Sequence, residues 1–124
     1  MLRCAFALMV TLVAALPAQA QRVFQQSALR GELVLTQPPE ALLNGKAVRL
    51  APGARIRNAS NMIQLSGTLM GQTLAINYTL DAAGELRDVW ILTAAELAAK
   101  PWPATQEQAR TWVFDSTLQR WSKP

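Results

Sequence analysis

The chain has 124 residues, a net charge of +4, no histidine and one cysteine, Cys4. The zinc and copper sites that proteins build from histidine and cysteine are therefore excluded beyond that position, as are catalytic triads with a histidine base or a cysteine nucleophile. A chain of this length is expected to form one small domain with a modest core.

The first twenty residues have the pattern of a secretory signal peptide. Arg3 gives a positive start, "AFALMVTLVAAL" is an uncharged apolar run, and Ala18 and Ala20 supply the A-x-A pattern of a cleavage site. The run is shorter than the roughly 20 residues that span a bilayer, and Cys4 precedes it, whereas a lipidated cysteine should follow it. We therefore expect cleavage after Ala20, a periplasmic or secreted product without a membrane span, and a single small β-rich domain over 21–124.

The first half of that domain carries strand and turn signals. "QRVFQQSALR", residues 21–30, shows no clean period and is interpreted as an arm or a first short strand. "GELVLTQ" from Gly31 is rich in strand formers and is expected to end at Pro38-Pro39, since proline cannot donate to a β-ladder. Asn44-Gly45 predicts a type I′ hairpin turn between two strands. "APG" at 51–53 predicts another turn, before the alternating "ARIR".

The strongest pattern lies in "QTLAINYTLDAAGELRDVWILT", which follows a short strand in "NMIQLSG" and a turn or bulge around Gly71. Its two alternating runs predict a hairpin around "DAAG". With Leu80 opposite Glu85, one face is expected to hold Leu74, Ile76, Tyr78, Val89 and Ile91. The other face then holds Leu86, Trp90 and Leu92, so something must cover Trp90.

The last third can supply that cover. Thr93 with Glu96, and Thr105 with Gln108, have the spacing of capping boxes and predict two short helices. Apolar residues of this region could lie against the sheet, namely Leu97, Trp102, Trp112, Phe114 and Trp121. The segment "DSTLQRWSKP" is either a turn with a short strand or a docked tail. The predicted fold is a β-rich α+β domain: a small curled antiparallel sheet or partly open barrel of about five or six strands, with one or two short C-terminal helices.

Three arginines lie close together in "RLAPGARIRN", at Arg49, Arg55 and Arg57. In a strand, Arg55 and Arg57 share one face while Ile56 points to the other, so Ile56 is expected in the core. One interpretation is an anion-binding patch for lipid phosphates, acidic glycans or an acidic partner protein, since guanidinium groups suit phosphates and carboxylates. The alternative is a solvated strand face that discourages edge-to-edge pairing.

The four tryptophans allow a sugar platform or an anchor at a protein interface. Trp90 lies within "DVWIL" and is expected in the core. Trp102, held between Pro101 and Pro103, is the one expected at the surface, and it joins the three arginines as a candidate binding residue. Trp121 is left open.

Acidic residues cluster around the second hairpin, at Asp81, Glu85 and Asp88. Two close carboxylates could do acid–base chemistry or hold calcium, but "DAAGE" lacks the alternating oxygen ligands of a calcium loop. They are interpreted as turn and strand-flanking residues, and neither a metal site nor a catalytic residue is predicted. "NAS" at 58–60 and "NYT" at 77–79 match a glycosylation pattern that is common by chance.

Three stretches carry a resemblance: "ALRGELVLTQPPEALLNGKAVRLAPGARIR", "GTLMGQTLAINYTLD" and "GELRDVWILTAAE". The chain resembles a group of small uncharacterised exported (periplasmic) proteins of β-proteobacteria over about residues 22–96. The resemblance implies bacterial export and a single compact domain, and it assigns no activity, ligand or site residue.

The predicted function is a non-enzymatic binding or interaction domain of the bacterial cell envelope. It would contact an acidic protein partner or anionic envelope component through Arg49, Arg55, Arg57 and Trp102, without a cofactor. The alternative is a carboxylate-based hydrolase or transferase that works with Asp81, Glu85, Asp88 or Tyr78, and a purely structural subunit is a third possibility. The net charge is too diffuse to indicate nucleic acid, and the sequence leaves the oligomeric state open.

Overall fold

The computed structural model describes residues 22–124, so the expected signal peptide lies outside the described residues. Seven strands and two short α-helices are formed in this part of the chain, with a 3₁₀ turn at Ser66–Thr68. In chain order they are β1 (Leu29–Gln37), β2 (Glu40–Leu43), β3 (Lys46–Arg57), β4 (Thr73–Leu80), β5 (Leu86–Ile91), α1 (Ala94–Leu97), α2 (Gln106–Thr111), β6 (Val113–Asp115) and β7 (Arg120–Ser122). Neither helix is long and apolar enough to cross a membrane.

The first five strands close into a barrel in the order β1-β2-β3-β5-β4, because β1 pairs with both β2 and β4. β3 and β5 run parallel, and the other neighbours are antiparallel. The predicted β-rich fold with short C-terminal helices is confirmed, with one parallel pair in an otherwise antiparallel ladder. β6 and β7 form a separate two-stranded sheet.

The predicted hairpin at Asn44-Gly45 is confirmed. Both residues have positive φ, 52° and 81°, as a type I′ turn requires, and Leu43 pairs directly with Lys46. β1 ends at the residue before Pro38, as expected from the lack of a proline N–H. These two turns place β1, β2 and the start of β3 side by side.

The turn predicted at 51–53 is a bulge inside one long strand. β3 runs without a break from Lys46 to Arg57, but its stretch from Leu50 to Arg55 lies beside only Leu86 to Asp88 of β5. The extra residues bend outward around Gly53, whose φ is 76°. "APG" therefore does turn the chain locally, while the strand continues on the far side.

The predicted faces of the β4–β5 hairpin are mostly confirmed. Tyr78 pairs with Val89, so both point into the barrel, as expected. The pairing predicted between Leu80 and Glu85 is wrong: Leu80 pairs with Leu86, after the register shifts by one residue between Thr79 and Leu80. This irregularity turns Leu86 inward, where it is fully buried, although it was predicted to share a face with Trp90.

Two apolar clusters hold the molecule together. The first fills the barrel and consists mainly of Leu29, Leu33, Leu35, Leu50, Ile56, Leu74, Ile76, Tyr78, Leu86 and Val89. The second, which we call the aromatic layer, lies outside the barrel and consists of Phe24, Ala28, Trp102 and Trp121, with Trp90, Leu92, Trp112 and Phe114 packed against it. The predicted cover over Trp90 is thus confirmed, although Trp90 itself is only partly buried.

The predicted helix starts are confirmed. Thr93 and Glu96 form a reciprocal capping box at α1, and the Thr105 side chain accepts the Gln108 N–H at α2. The C-terminal segment forms a turn with a short strand, β7, which brings Trp121 into the aromatic layer.

Candidate functional site

The structure divides the three candidate arginines into two places. Ile56 is buried in the barrel, so Arg55 and Arg57 share its outer face, as predicted. Arg49 lies six residues before Arg55 on β3, on the other side of the bulge around Gly53. There it faces Glu40 of β2, with 3.1 Å between Arg49 Nε and a Glu40 carboxylate oxygen.

Arg57 is held within the molecule. Its guanidinium lies 3.5 Å from Asp88 and over the ring of Trp90, 5.9 Å from its centroid. Asp88 also accepts hydrogen bonds from Thr79 Oγ1 at 3.2 Å and Arg87 Nε at 3.3 Å. Arg55, in contrast, is exposed and has no ion-pair partner among residues 22–124.

A cleft of about 630 Å³, which we call the β3 cleft, opens beside the bulge of β3. Before the bulge, the Leu50 N–H bonds to the Pro39 carbonyl; after it, the Ile56 carbonyl accepts the Gln64 N–H. Between these two contacts, no backbone among residues 22–124 pairs with this side of β3, and the cleft occupies the resulting gap in the sheet. The walls are largely apolar, formed by Pro39, Pro52, Ile63 and Leu65 among others, and Arg49 lines the rim.

One side of the β3 cleft is formed by Met62–Leu65, which we call the edge segment. It lies antiparallel to the end of β3, with Arg57 opposite Ile63. Three of its four side chains are large and apolar, and Ile63 and Leu65 are 61% and 75% exposed. Sequence reasoning gave this stretch as a short strand and did not identify its exposure. A signal was present, because residues 58–80 contain no charged side chain.

The predicted exposure of Trp102 is wrong. It is only 8% exposed, its indole N–H donates to the Ala28 carbonyl at 3.0 Å, and the Arg30 guanidinium lies 4.9 Å from its ring centroid. Phe24, Phe114 and Trp121 meet the same ring edge-on. Trp102 is therefore the centre of the aromatic layer, and its small accessible part lines the second cleft described below.

A second cleft of about 630 Å³ lies over the aromatic layer, beside Arg22 and Glu96. Arg22 donates to both carboxylate oxygens of Glu96 and to the carbonyls of Asn58 and Ile91. The Glu96 carboxylate also accepts the Thr93 N–H at 2.9 Å. Burial of Glu96 raises its pKa, but the hydrogen bonds from Arg22 and Thr93 and the charge of Arg22 hold the pKa below its ordinary value.

Arg30 is also fully engaged inside the fold. Its guanidinium donates to Asn77 Oδ1 at 3.1 Å and to the carbonyls of Ala99 and Glu96 at 2.7 and 3.1 Å. Burial lowers the pKa of Arg30, while the charge of Glu96 raises it. The guanidinium groups of Arg22 and Arg30 donate their hydrogen bonds to other groups of this chain. The second cleft therefore lies where the barrel packs against the C-terminal third. Neither arginine was identified from the sequence.

The acidic residues around the second hairpin have separate roles. Asp81 Oδ1 accepts the N–H groups of Ala83 and Glu85, both at 2.9 Å, and so shapes the turn. Asp88 pairs with the strand arginines, and Glu85 lines the β3 cleft. The Tyr78 phenol is buried in the barrel, which raises its pKa. Among residues 22–124 no group of three or more acidic side chains could hold a metal ion.

Comparison with protein-family models, with curated proteins and with solved structures gives no match for this chain. The candidate function therefore rests on the geometry of the β3 cleft, on Arg49 in its lining, and on the exposed Arg55 on the other face of β3.

Proposed function

We propose that the protein is a non-enzymatic binding domain of the bacterial periplasm that holds an acidic protein partner at the β3 cleft. The observation that carries the proposal is the position of the cleft on β3. Arg49 and apolar side chains line it, whereas Arg55 projects from the face of β3 opposite to the lining residues Ala54 and Ile56. A ligand with an apolar group and a carboxylate would satisfy the cleft and Arg49, and a partner protein that extends across β3 would also reach Arg55.

The two exposed arginines are available to such a ligand. Arg55 has no carboxylate partner in the part of the chain that the structure describes. The Arg49–Glu40 pair is more than half exposed on both sides, and exposed pairs contribute little, so a partner can replace Glu40 at small cost. Arg57 is less available, because Asp88 and Trp90 already hold it.

The strand order of the barrel also supports the β3 cleft as the binding site. OB-folds are five-stranded Greek-key barrels that bind oligonucleotides and oligosaccharides on strands 2 and 3 and on the β1–β2 and β4–β5 loops. The corresponding residues here, Pro38 and Pro39 on one side and Glu85 on the other, both line the β3 cleft. This support is an analogy of fold, which does not identify the ligand. The periplasmic location is supported by the signal-peptide pattern of residues 1–20.

Charge reversal of Arg49 and Arg55 together is expected to weaken partner binding at least about tenfold, since it replaces two attractions by two repulsions. The partner would be captured by crosslinking in the periplasm and identified by mass spectrometry, and its affinity for purified variants would then be measured. The matched control reverses Arg110 and Arg120, which are also exposed but lie in α2 and β7. The Arg110/Arg120 control should keep wild-type stability within about 0.5 kcal/mol per site. The Arg49/Arg55 variant places glutamates opposite Glu40 and Asp88, so circular dichroism first establishes that it is folded before its affinity is compared.

Arg57 is left unchanged in this experiment, because a glutamate there would face Asp88 and disturb folding as well as binding. If the Arg49/Arg55 variant binds the captured partner as tightly as the control does, the proposed site is wrong.

A further inference from the structure

Backbone hydrogen bonds hold the edge segment against the end of β3. The Asn58 N–H donates to the Met62 carbonyl and the Gln64 N–H donates to the Ile56 carbonyl, both at 2.8 Å. Asn58 Oδ1 also accepts the N–H groups of Ser60 and Met62, both at 3.0 Å, which fixes the connecting turn. The segment is therefore held in an extended conformation before any partner arrives.

The pairing leaves one side of this segment open. Two hydrogen bonds flank the Arg57–Ile63 pair, so these residues form a non-hydrogen-bonded pair. In such a pair the N–H and C=O groups point away from the neighbouring strand. Arg57 directs its groups toward Trp90 of β5, whereas no strand among residues 22–124 lies beyond Ile63.

Proteins usually protect such edges with lysine, proline or a covering loop. The edge segment has none of these: residues 58–80 hold no charge and no proline, and Met62, Ile63 and Leu65 are all more than half exposed. An unprotected apolar edge that a well-ordered turn holds in place suits β-strand addition by another chain.

The charges beside the edge indicate what that chain carries. Arg57 shares the face of Ile63 as its cross-strand neighbour, and Arg55 lies two residues before it on the same face. The edge segment itself carries no charge and Asp88 offsets the charge of Arg57, so Arg55, which has no carboxylate partner among residues 22–124, leaves this face positive. An added strand would therefore gain from acidic side chains next to its apolar ones.

We propose that the acidic partner is captured as an extended strand that pairs with the edge segment through the backbone of Ile63. This inference rests on the proposed function and specifies the partner as an extended peptide with alternating acidic and apolar residues. Two other occupants fit less well. A second copy of the chain would bring a second pair of arginines to the same face. A lipid surface would leave the backbone N–H and C=O groups of Ile63 without hydrogen-bond partners.

The probe is a phage-displayed library of random dodecapeptides, selected on the purified protein. Selection is expected to enrich acidic, alternating sequences. In amide hydrogen exchange on the complex with a selected peptide, the Ile63 N–H should become protected. The Gln64 N–H, which already bonds to Ile56, should change little.

Substitution at the same position supplies the matched variants. Ile63→Pro removes an N–H that points away from β3, so the fold should survive while peptide affinity falls about tenfold or more. Ile63→Thr keeps the N–H and the β-branched shape, and it should bind the peptide within a few-fold of wild type.

Three outcomes would overturn strand capture: enrichment of peptides without acidic residues, an unprotected Ile63 amide in the complex, or equal peptide binding by Ile63→Pro and Ile63→Thr. Binding to phosphatidylglycerol vesicles that depends on Arg49 and Arg55 but not on Ile63 would also overturn it in favour of a lipid ligand. Concentration-dependent self-association that Ile63→Pro abolishes would replace the acidic partner by a second copy. The charge-reversal test of the proposed function is independent of Ile63, so the two ideas can fail separately.

Discussion

Replacement of Trp102 by alanine is expected to lower the free energy of unfolding by about 3–5 kcal/mol, the range for a large aromatic side chain removed from a core. The ring meets Phe24, Phe114 and Trp121 edge-on, and its N–H bonds to the Ala28 carbonyl. Domains of this size are stable by roughly 5–15 kcal/mol, so the variant would lose a large share of its stability. Urea unfolding followed by far-ultraviolet circular dichroism measures the effect.

Two further variants separate packing from hydrogen bonding and from binding. Trp102→Phe keeps an aromatic ring and should cost less than Trp102→Ala, although it leaves the Ala28 carbonyl without its donor. Leu118→Ala, at an exposed site on the second cleft, should change stability by less than about 0.5 kcal/mol. If folded Trp102→Phe loses affinity for the partner, Trp102 has a binding role that its burial does not explain.

Glu96 is expected to make stability depend on pH. Its pKa is lower in the folded protein than the ordinary 4.5, so the ionised carboxylate stabilises the fold above that pH. This stabilisation is lost as the pH falls through the folded-state pKa. At neutral pH, Glu96→Gln should cost about 2–4 kcal/mol, since it leaves the Arg22 guanidinium half-buried without its counter-charge. The difference between wild type and Glu96→Gln should shrink steadily below about pH 4.5.

Arg22→Met provides the control for that measurement. In this background Glu96 loses its main partner, so the Glu96→Gln difference should be smaller and should vary less with pH. A difference that is just as steep without Arg22 would mean that another group produces the pH dependence.

Sequence reasoning located the parts of the fold that neighbouring residues determine. Asn44-Gly45 forms its turn because both residues adopt positive φ readily, and Thr93 with Glu96 forms a capping box because both lie within one helical turn. The alternation around Ile56 placed Arg55 and Arg57 outside for the same local reason.

The wrong predictions concern residues whose burial or pairing depends on contacts with residues far away in the sequence. A one-residue irregularity between Thr79 and Leu80 turned Leu86 into the barrel, and alternation alone contains no sign of it. The prolines around Trp102 predict a stiff backbone, but burial depends on the Ala28 carbonyl, 74 residues away in the sequence. Arg22 and Glu96 are also 74 residues apart in the sequence, so their ion pair could not be predicted from neighbouring residues.

The candidate site was only partly foreseeable. Arg49 and Arg55 were identified, but the cleft beside them depends on where Pro39 and Gln64 leave β3, which follows from the strand pairing. The uncharged run at 58–80 was visible in the sequence, and an uncharged strand at an edge is the pattern that points to a partner surface.

The arrangement of the aromatic layer determines what optical spectroscopy reports on this molecule. Trp102 and Trp121 are buried in the layer and Trp90 and Trp112 pack against it, so all four tryptophans report on the C-terminal cover. The lone tyrosine, Tyr78, lies inside the barrel. Fluorescence excited at tryptophan wavelengths therefore reports chiefly on the aromatic layer, with Trp90 on β5 as the one tryptophan in a barrel strand. Where the two parts separate at different denaturant concentrations, the emission curve and the loss of β-structure will not coincide.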